Sequence, residues 1–260
     1  MTIVTLTTDL GTRDHYVGGV KGELLRALPH IQIIDISHDI TPFNIMHGSF
    51  VLKNCYHHFP DGTFHLIGVN MLYEENAQFL IVVKGQHTFI GPDNGIFGLL
   101  WDGEPADKAF RLFLNDMEKK STLPMKDLYV RAMKHLLTER NIEKISEKIP
   151  SFRQSTMGRP IVSPDHIRGS IIYFDHFENA IVNIQKEEFE SIRKGRKFIF
   201  YFKRYDDVES ICDNYSDVPE SEKLCMFNSS GYLEIAINKG NARGLLNLSV
   251  GDIVQVEFRS

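Results

Sequence analysis

The sequence predicts an α/β protein of two domains: an N-terminal α/β domain with a largely parallel central sheet, and a smaller C-terminal antiparallel β-barrel-like domain. Two patterns predict this fold class. In the first half, short apolar strand patterns alternate with helical spacing, whereas the second half holds short strands separated by turn residues. The length of 260 residues suffices for one large core or two moderate ones. We place the domains at residues 1–163 and 164–260.

In the first half, four segments have the β-branched, apolar composition of buried strands, and three have helical spacing. The strands are predicted at 3–7, 31–36, 63–69 and 79–83, and the helices at 15–28, 44–59 and 127–140. A turn cluster is predicted at Gly91–Gly95. Ligands of parallel sheets collect beyond the carboxyl ends of the strands, and Asp9 and Asn70 both follow a predicted strand.

The second half has a different pattern, which begins after a turn-rich stretch at 150–164. Strands are predicted at 170–174, 180–184, 197–202, 232–237 and 253–258, and their spacing favours a barrel or a sandwich. The polar, acidic stretch at 205–223 is predicted to be an exposed loop.

Composition narrows the classes of partner. The net charge of −5 argues against nucleic acid and against anionic membrane surfaces, and no run approaches the roughly 20 apolar residues of a membrane helix. Three cysteines without a CxxC pair, and no signal-like segment at the start, lead us to expect a cytoplasmic protein. The spacing of the histidines does not match a metal site, so we expect none. The sequence contains neither a glycine-rich dinucleotide loop nor a P-loop, so we also expect no cofactor.

Six segments, in the same order along nearly the whole chain, resemble the S-adenosylmethionine hydroxide adenosyltransferase family, whose relatives include fluorinases and chlorinases. They are TDLGTRDHYVGGVKG at Thr8–Gly22, IIDISHDITPFNIMHGSFVL at Ile33–Leu52, FPDGTFHLIGV at Phe59–Val69, IGPDNGIFGLL at Ile90–Leu100, FDHFENAIVNI at Phe174–Ile184 and NSSGYLEIAINKGNARGLLNLSVGD at Asn228–Asp252.

The resemblance implies an activity and an assembly. In the family, water attacks the ribose C5′ of S-adenosylmethionine and releases adenosine and methionine, while halide replaces water in the halogenases. The resemblance also implies a homotrimer whose sites lie between the N-terminal domain of one subunit and the C-terminal domain of the next. No halide site is recognisable in this sequence.

The resemblance assigns ligand-binding roles in the N-terminal domain. Asp9 matches the carboxylate that binds the ribose hydroxyls, since a carboxylate accepts hydrogen bonds from both; the alternative is an Asp that caps the following turn. Asp14 is a second candidate, although an Asp before a helix is also favoured by the helix dipole. Phe43 stands where the halogenases carry an aromatic residue against the ligand, and a core phenylalanine is the alternative.

In the C-terminal domain, Asp175, Phe177 and Asn179 match the group around the methionine part and the adenine. An Asp pairs with an ammonium group, and an aromatic face stacks on a base. Glu178 replaces the glycine that usually precedes the Asn, which adds bulk and charge.

The family's adenine-contacting turn is matched by three consecutive residues: Asn228, Ser229 and Ser230. A simple β-turn explains these residue types equally well, because Asn and Ser are common in turns. Both interpretations are compatible.

The resemblance fails where the chemistry is expected. The hydrolytic members carry an Asp after the third strand, an Arg several residues later and a His before a later helix; here these positions hold Asn70, Ala77 (or Asn76) and Pro124. The loss of the arginine and the histidine does not depend on the exact alignment, because the chain has no arginine between Arg26 and Arg111 and no histidine between His87 and His135.

The substituted positions have apolar and polar neighbours. Leu123 and Met125 predict a drier pocket than that of a hydrolase. Three polar residues are candidates to replace the missing catalytic groups: Tyr73, Glu74 and Glu75. The alternative is that these residues form a solvated loop. Two hypotheses remain open: an S-adenosylmethionine hydrolase of altered machinery, and a protein that binds S-adenosylmethionine or adenosine without turnover.

Overall fold

A computed structural model describes residues 1–71, 77–115, 118, 121–139, 141–203 and 206–259. The chain divides into two compact units, Met1–Met157 and Gly158–Ser260. The sequence places this division six residues later, at 163/164. The short strand Ile161–Val162 pairs with a strand of the second unit, which is why the segment joins that unit.

The N-terminal unit contains a seven-stranded sheet with helices on both faces. Its strands are β1 Thr2–Thr8, β2 Ile31–Ser37, β3 Phe64–Gly68, β4 Phe79–Lys84, β5 His87–Pro92, β6 Lys108–Leu112 and β7 Ser146–Ile149. Its helices are α1 Tyr16–Ala27, α2 Ile45–Lys53, α3 Ile96–Leu100 and α4 Val130–Thr138. Single turns of 3-10 helix lie at Tyr56–His58 and Ile142–Lys144, and a π turn at Met125–Tyr129 leads into α4.

The strand order is β2-β1-β3-β5-β4-β6-β7. The four strands β2, β1, β3 and β5 are mutually parallel, and β4, β6 and β7 extend the sheet antiparallel. The register pairs Thr8 with Gly68, so the carboxyl ends of β1 and β3 lie side by side. This edge carries Asp9 and Asn70.

Each face of this sheet carries its own apolar core. One contains Leu6 and Leu66 with residues of α1 and α4, and the other contains Ile67 and Val82 with residues of α2 and α3. Successive strand residues point to opposite faces of the sheet, so a strand that is apolar throughout contributes side chains to both cores.

The C-terminal unit is an antiparallel, barrel-like sheet of eight strands. They are β8 Ile161–Val162, β9 His166–Phe174, β10 Ala180–Gln185, β11 Lys197–Lys203, β12 Asp206–Val208, β13 Lys223–Phe227, β14 Tyr232–Ile237 and β15 Ile253–Arg259. The helices are α5 Lys186–Arg193 and α6 Ala242–Leu245, with a 3-10 turn at Tyr215–Asp217. The long β9 pairs with β15 through its first half and with β10 through its second half, which joins the two halves of the sheet.

The predicted fold class is confirmed, and several elements differ from the prediction. The helix predicted at 44–59 ends at Lys53, because the side chain of Asn54 donates to the Phe50 carbonyl and closes the last turn. The turn cluster at 91–95 begins inside β5. Sequence patterns missed nine elements: β5, β6, β7, β8, β12, β13, α3, α5 and α6. The predicted loop at 205–223 contains β12 and the 3-10 turn.

Candidate functional site

Asp9 holds together the corner beyond β1 and β3. Its Oδ2 accepts hydrogen bonds from the backbone N–H of Phe43 at 2.8 Å and of Asn70 at 2.9 Å. Its own N–H donates to the Gly68 carbonyl at 3.2 Å. Within the described ranges, Oδ1 accepts no hydrogen bond from the protein. One carboxylate oxygen therefore stabilises the corner, and the other is free to accept a hydroxyl.

The two residues that donate to Asp9 both have left-handed backbone, with φ of 65° at Phe43 and 50° at Asn70. Asn adopts this conformation readily, but a bulky Phe does so at a cost. The side chain of Phe43 is 62% exposed, so it is not the core residue that the alternative interpretation required. Its strained backbone and open aromatic face fit a residue that contacts a ligand.

Asn70 is bonded through its backbone rather than its side chain. Its N–H donates to Asp9, and its carbonyl accepts from the Asn94 Nδ2 at 3.2 Å. The side-chain Oδ1 is buried and receives no hydrogen bond from any described part of the chain. A buried acceptor without a donor costs about 1–3 kcal/mol, so a ligand hydroxyl or a water has a reason to bind there.

Met125 lies beneath this corner rather than on its surface. It is fully buried, and its Sδ lies 2.2 Å from where a Cβ on Gly68 would stand. Tyr129, on the same π turn, donates from its hydroxyl to the Ile67 carbonyl at 3.1 Å. The sequence predicts Met125 as a pocket residue, and the structure places it buried against the end of β3.

The other substituted positions are apolar. Ala77 and Leu123 are partly buried and pack against the core that contains Met125, and Pro124 is buried. Tyr73 and its acidic neighbours lie outside the described residues.

Asp14 is exposed in the loop before α1, and His15 rather than Asp14 occupies the N-cap of that helix.

In contrast, His38 was not selected from the sequence and is buried beside the corner. Its Nδ1 lies 2.7 Å from Thr8 Oγ1, and its Nε2 lies 3.1 Å from Asp35 Oδ1. Burial alone would raise the pKa of the Asp35 carboxyl, but Lys21 and His38 together hold it below its usual value.

The turn between β9 and β10 is built around Asp175. Its Oδ1 accepts from the N–H of Phe177 at 2.9 Å and of Asn179 at 2.8 Å, and its Oδ2 accepts from Asn179 Nδ2 at 3.1 Å. Asn179 is buried, whereas Phe177 is 72% exposed. The turn thus presents an aromatic side chain on a rigid base.

The turn between β13 and β14 is built in a similar way around Asn228. Its Oδ1 accepts from the N–H of Ser230 at 3.0 Å and of Tyr232 at 3.2 Å, which fixes Nδ2 toward Glu234 Oε2 at 3.3 Å. Ser229 and Ser230 are exposed. The turn interpretation and the ligand interpretation remain compatible here.

Glu234 connects the two turns electrostatically. It is 2% exposed, and its Oε1 accepts from the Tyr215 hydroxyl at 2.7 Å. Burial raises the pKa of Glu234, hydrogen bonds from Tyr215 and Asn228 oppose the rise, and the charge of Asp175 adds to it. Asp175 also contributes to a raised pKa of Tyr173, after burial, and to a raised pKa of Tyr215, after burial and the contact with Glu234. The structure therefore brings Asp175 and the Asn228 turn into one electrostatic group.

Glu178 also has left-handed backbone, with φ of 63°. Its carbonyl accepts from the Arg243 N–H at 3.0 Å, and its carboxylate pairs with the Arg243 guanidinium at 3.2 Å. That guanidinium lies 4.8 Å above the ring of Phe174. The extra charge of Glu178 is thus neutralised at the rim of the turn.

Sequence reasoning missed four of these residues: His38, Asn94, Glu234 and Arg243. All lie inside the motif segments, and Glu234 had a signal of its own, because a carboxylate inside the apolar strand Tyr-Leu-Glu-Ile-Ala-Ile has to be paired when buried. The described ranges contain no cluster of three or more metal-ligating side chains and no helix suited to crossing a membrane.

Known proteins resemble the chain over most of its length. It is 28% identical to an (R)-S-adenosyl-L-methionine hydrolase of Methanocaldococcus jannaschii, with 98% of this chain and 96% of the relative covered. A protein of the same name from Thermus thermophilus is 26% identical over 95% and 96%, and a fluorinase of Actinopolyspora mzabensis is 22% identical over 98% and 96%.

Solved structures share the fold. An uncharacterized conserved protein from Thermotoga maritima superposes with a TM-score of 0.85 at 24% identity, covering 98% of this chain and 99% of that chain. A conserved hypothetical protein from Thermus thermophilus superposes with a TM-score of 0.77 at 26% identity over the full length of both.

Family models describe both units. The N-terminal domain model of the SAM hydroxide adenosyltransferases matches residues 4–146, and the C-terminal domain model matches residues 169–255. The chain belongs to the SAM hydroxide adenosyltransferase family.

Proposed function

We propose that this protein binds S-adenosylmethionine, with Asp9 accepting hydrogen bonds from the ribose hydroxyls. The observation that carries the proposal is the divided carboxylate of Asp9: Oδ2 is saturated by two backbone N–H groups, and Oδ1 has no protein donor among the described residues. A carboxylate fixed in this way is prepared for a ligand before the ligand arrives. Phe43 supplies an exposed aromatic face beside it.

We propose that the C-terminal unit contributes the other half of the ligand contacts. Asp175 pairs with the ammonium of the methionine part, and Phe177 stacks on the adenine with support from the turns that hold Asn179 and Asn228. The rigid, hydrogen-bonded geometry of both turns supports this assignment.

We propose hydrolysis as the reaction: a water oxygen forms a bond to C5′, the C5′–S bond breaks, and its electron pair leaves with the sulfur of methionine. The other product is adenosine, and the proton of the water passes to solvent. Asn70 can orient the water but cannot accept its proton at neutral pH. Because a positioned base contributes about 10²–10⁴-fold, we expect slow turnover. The names of the relatives favour this chemistry.

Binding without turnover is the second candidate, and the apolar packing of Ala77 and Leu123 favours it. Incubation of the purified protein with S-adenosylmethionine, with adenosine and methionine measured by mass spectrometry, separates the two. Calorimetry measures binding in the same samples. Binding without product above the uncatalysed rate would reject hydrolysis, and no binding of S-adenosylmethionine or adenosine would reject both functions.

A triple variant tests whether the loss is chemical only. Asn70→Asp, Ala77→Arg and Pro124→His together restore the three residue types of the hydrolytic members, and turnover should rise if the pocket is otherwise intact. Asn70→Asp alone would leave a carboxylate oxygen in the buried position where Oδ1 has no donor, so we expect it to destabilise the fold unless the arginine is added. A triple variant that binds but remains inert would show that the pocket has been rebuilt.

We also propose a cytoplasmic homotrimer with the sites between subunits. The exposed side chains of Phe43 and Phe177 support it, since each presents an aromatic face that its own unit leaves uncovered. Analytical ultracentrifugation should give three times the mass of the chain. A monomer that binds S-adenosylmethionine with full affinity would refute the shared site.

A further inference from the structure

Strand β14 buries a carboxylate, Glu234, that the proposed ligand contacts do not use. In the register of the sheet Glu234 lies opposite Met226 on β13 and Ile181 on β10, so both of its neighbours across the strands are apolar. Within the described part of the chain, no lysine or arginine pairs with it. A buried carboxylate without a cation costs free energy, so stability alone does not explain its presence. Buried carboxylates of this kind concentrate at functional sites.

Each oxygen of this carboxylate has its own donor, and the two donors belong to different segments. Oε1 accepts from the Tyr215 hydroxyl at 2.7 Å, and Oε2 accepts from Asn228 Nδ2 at 3.3 Å. Tyr215 begins the 3-10 turn in the loop before β13, and Asn228 begins the turn that connects β13 to β14. Glu234 therefore joins this loop to the turn.

The side chain of Asn228 can satisfy its partners in only one orientation. Its Oδ1 accepts from the N–H of Ser230 and of Tyr232, so its Nδ2 faces Glu234 and needs an acceptor. A rotated amide would place a carbonyl oxygen against the carboxylate and an NH2 group against two N–H donors. The carboxylate of Glu234 thus selects the orientation of Asn228 that closes the turn around Ser229 and Ser230.

We propose that Glu234 is a positioning residue for the nucleoside: through Asn228 it holds the exposed turn 229–230 in the conformation that contacts the adenosine part of the ligand. This role rests on the proposed binding of S-adenosylmethionine, and Glu234 itself does not touch the ligand. Burial raises the pKa of Glu234 most, and the charge of Asp175 adds to the rise. The carboxylate therefore lies within the electrostatic reach of the residue that we assign to the methionine part.

The test exchanges the amide and the carboxylate between the two positions. In Glu234→Gln, one oxygen still accepts from Tyr215, but an NH2 group faces Asn228 Nδ2, so the amide of Asn228 has to rotate and release the turn. Asn228→Asp places two carboxylates against each other. The double variant Glu234→Gln/Asn228→Asp restores every hydrogen bond of the network with donor and acceptor reversed, and it leaves the net charge unchanged.

Calorimetric titration with adenosine and with S-adenosylmethionine measures the effect at a temperature where every variant is folded. We expect each single variant to bind adenosine about tenfold or more weakly, and the double variant to return to within about threefold of the wild type.

Asn183→Asp is the matched control. In the wild type, Asn183 Oδ1 accepts from the Ser170 N–H at 2.7 Å, and its Nδ2 donates to the Gly158 carbonyl at 2.7 Å. The substitution removes one donor from the same unit away from the turn, so it should lower the unfolding midpoint without changing the affinity. If Glu234 had only a structural role, Glu234→Gln would behave in the same way.

Hydrogen–deuterium exchange of the backbone at 228–232 gives a second measurement that needs no ligand. The N–H groups of Ser230 and Tyr232 should exchange faster in Glu234→Gln and recover their protection in the double variant. If Glu234→Gln does not fold, the comparison of Asn228→Asp with the double variant decides the same question.

Three results would overturn this role of Glu234 and leave the proposed function intact. They are equal adenosine affinity of Glu234→Gln and wild type, a double variant that binds no better than the single variants, and unchanged exchange in Glu234→Gln. No binding of adenosine or S-adenosylmethionine by the wild type would overturn the proposed function, and the positioning role with it, so the two failures are distinguishable.

Discussion

Both units use one carboxylate to organise a candidate ligand-binding corner, but they assemble it over different distances along the chain. Asp9 accepts from Phe43 and Asn70, which lie 34 and 61 residues away in sequence. Asp175 accepts from Phe177 and Asn179, which lie two and four residues away. The first corner exists only once β1, β3 and the loop before α2 have assembled, whereas the second is a local turn.

This difference predicts unequal sensitivity to mutation. Closing a local turn costs little chain entropy, and its hydrogen bonds persist as long as the flanking strands pair. The Asp9 corner links three separate segments, so loss of its carboxylate frees all three at once.

The largest effect is expected at Asp9. Asp9→Ala removes both acceptors and should lower the free energy of unfolding by about 2–4 kcal/mol and abolish binding of S-adenosylmethionine. Asp9→Asn keeps an oxygen for the two backbone N–H groups but places a donor where the ribose hydroxyls need an acceptor. We therefore expect Asp9→Asn to retain most of the stability while losing affinity, as measured by urea unfolding and calorimetry. Equal affinity of Asp9→Asn and wild type would remove Asp9 from the site.

The two units should also respond differently to pH. His65 is fully buried in the N-terminal unit, with Nδ1 at 2.7 Å from Thr5 Oγ1 and Nε2 at 3.1 Å from His87 Nδ1. Burial, and after it the charge of His87, lowers the pKa of His65 to about 3. As the pH falls, His65 is therefore protonated in the unfolded chain before it is protonated in the folded protein. The free energy of unfolding that is present above pH 6.5 is lost as the pH falls toward 3.

Fluorescence can isolate this effect, because the single tryptophan, Trp101, is buried in the N-terminal unit. From pH 6.5 to 4.5, the unfolding free energy followed by Trp101 should fall by up to about 1.4 kcal/mol per pH unit from His65 alone. His65→Gln should flatten this slope, and the exposed His30→Gln should not. Burial also lowers the pKa of His87, so a smaller slope should remain. An unchanged slope in His65→Gln would show that other groups govern the acid sensitivity.

The C-terminal unit buries an acid instead, so its pH dependence has the opposite sign. The pKa of Glu234 is raised, which means that the folded state favours the neutral carboxyl and loses stability as the pH rises above about 4.5, the ordinary value for Glu. Asp175→Asn removes one of the charges responsible and should lower the pKa of Glu234 and of Tyr215, with a stability change of about 1–2 kcal/mol or less. Tyrosinate absorbance, with Tyr215→Phe as the reference, measures the Tyr215 shift. No shift would mean that the charge of Asp175 contributes to neither pKa.

The same contrast explains how much the sequence could predict. The Asp175 turn can be predicted from the local sequence, because the backbone donors to Asp175 lie only two and four residues after it. The pairing of Asp9 with Phe43 and Asn70 depends on the register of a parallel sheet, which no local pattern specifies. Strands β6 and β7 were missed for a related reason: they are short strands near one edge of the sheet, and their partly polar composition has little periodicity.

The smallest expected effect separates backbone strain from charge in the local turn. Glu178→Gly removes the strain of positive φ and also the ion pair with Arg243, which is half exposed and contributes little. Glu178→Ala removes the same ion pair but keeps the strain, so it is the matched control. We expect Glu178→Gly to be about 0.5–1 kcal/mol more stable than Glu178→Ala in urea unfolding. If the two variants are equally stable, the turn absorbs its positive φ without strain, and the same exchange at Phe43 would show whether the long-range corner does so too.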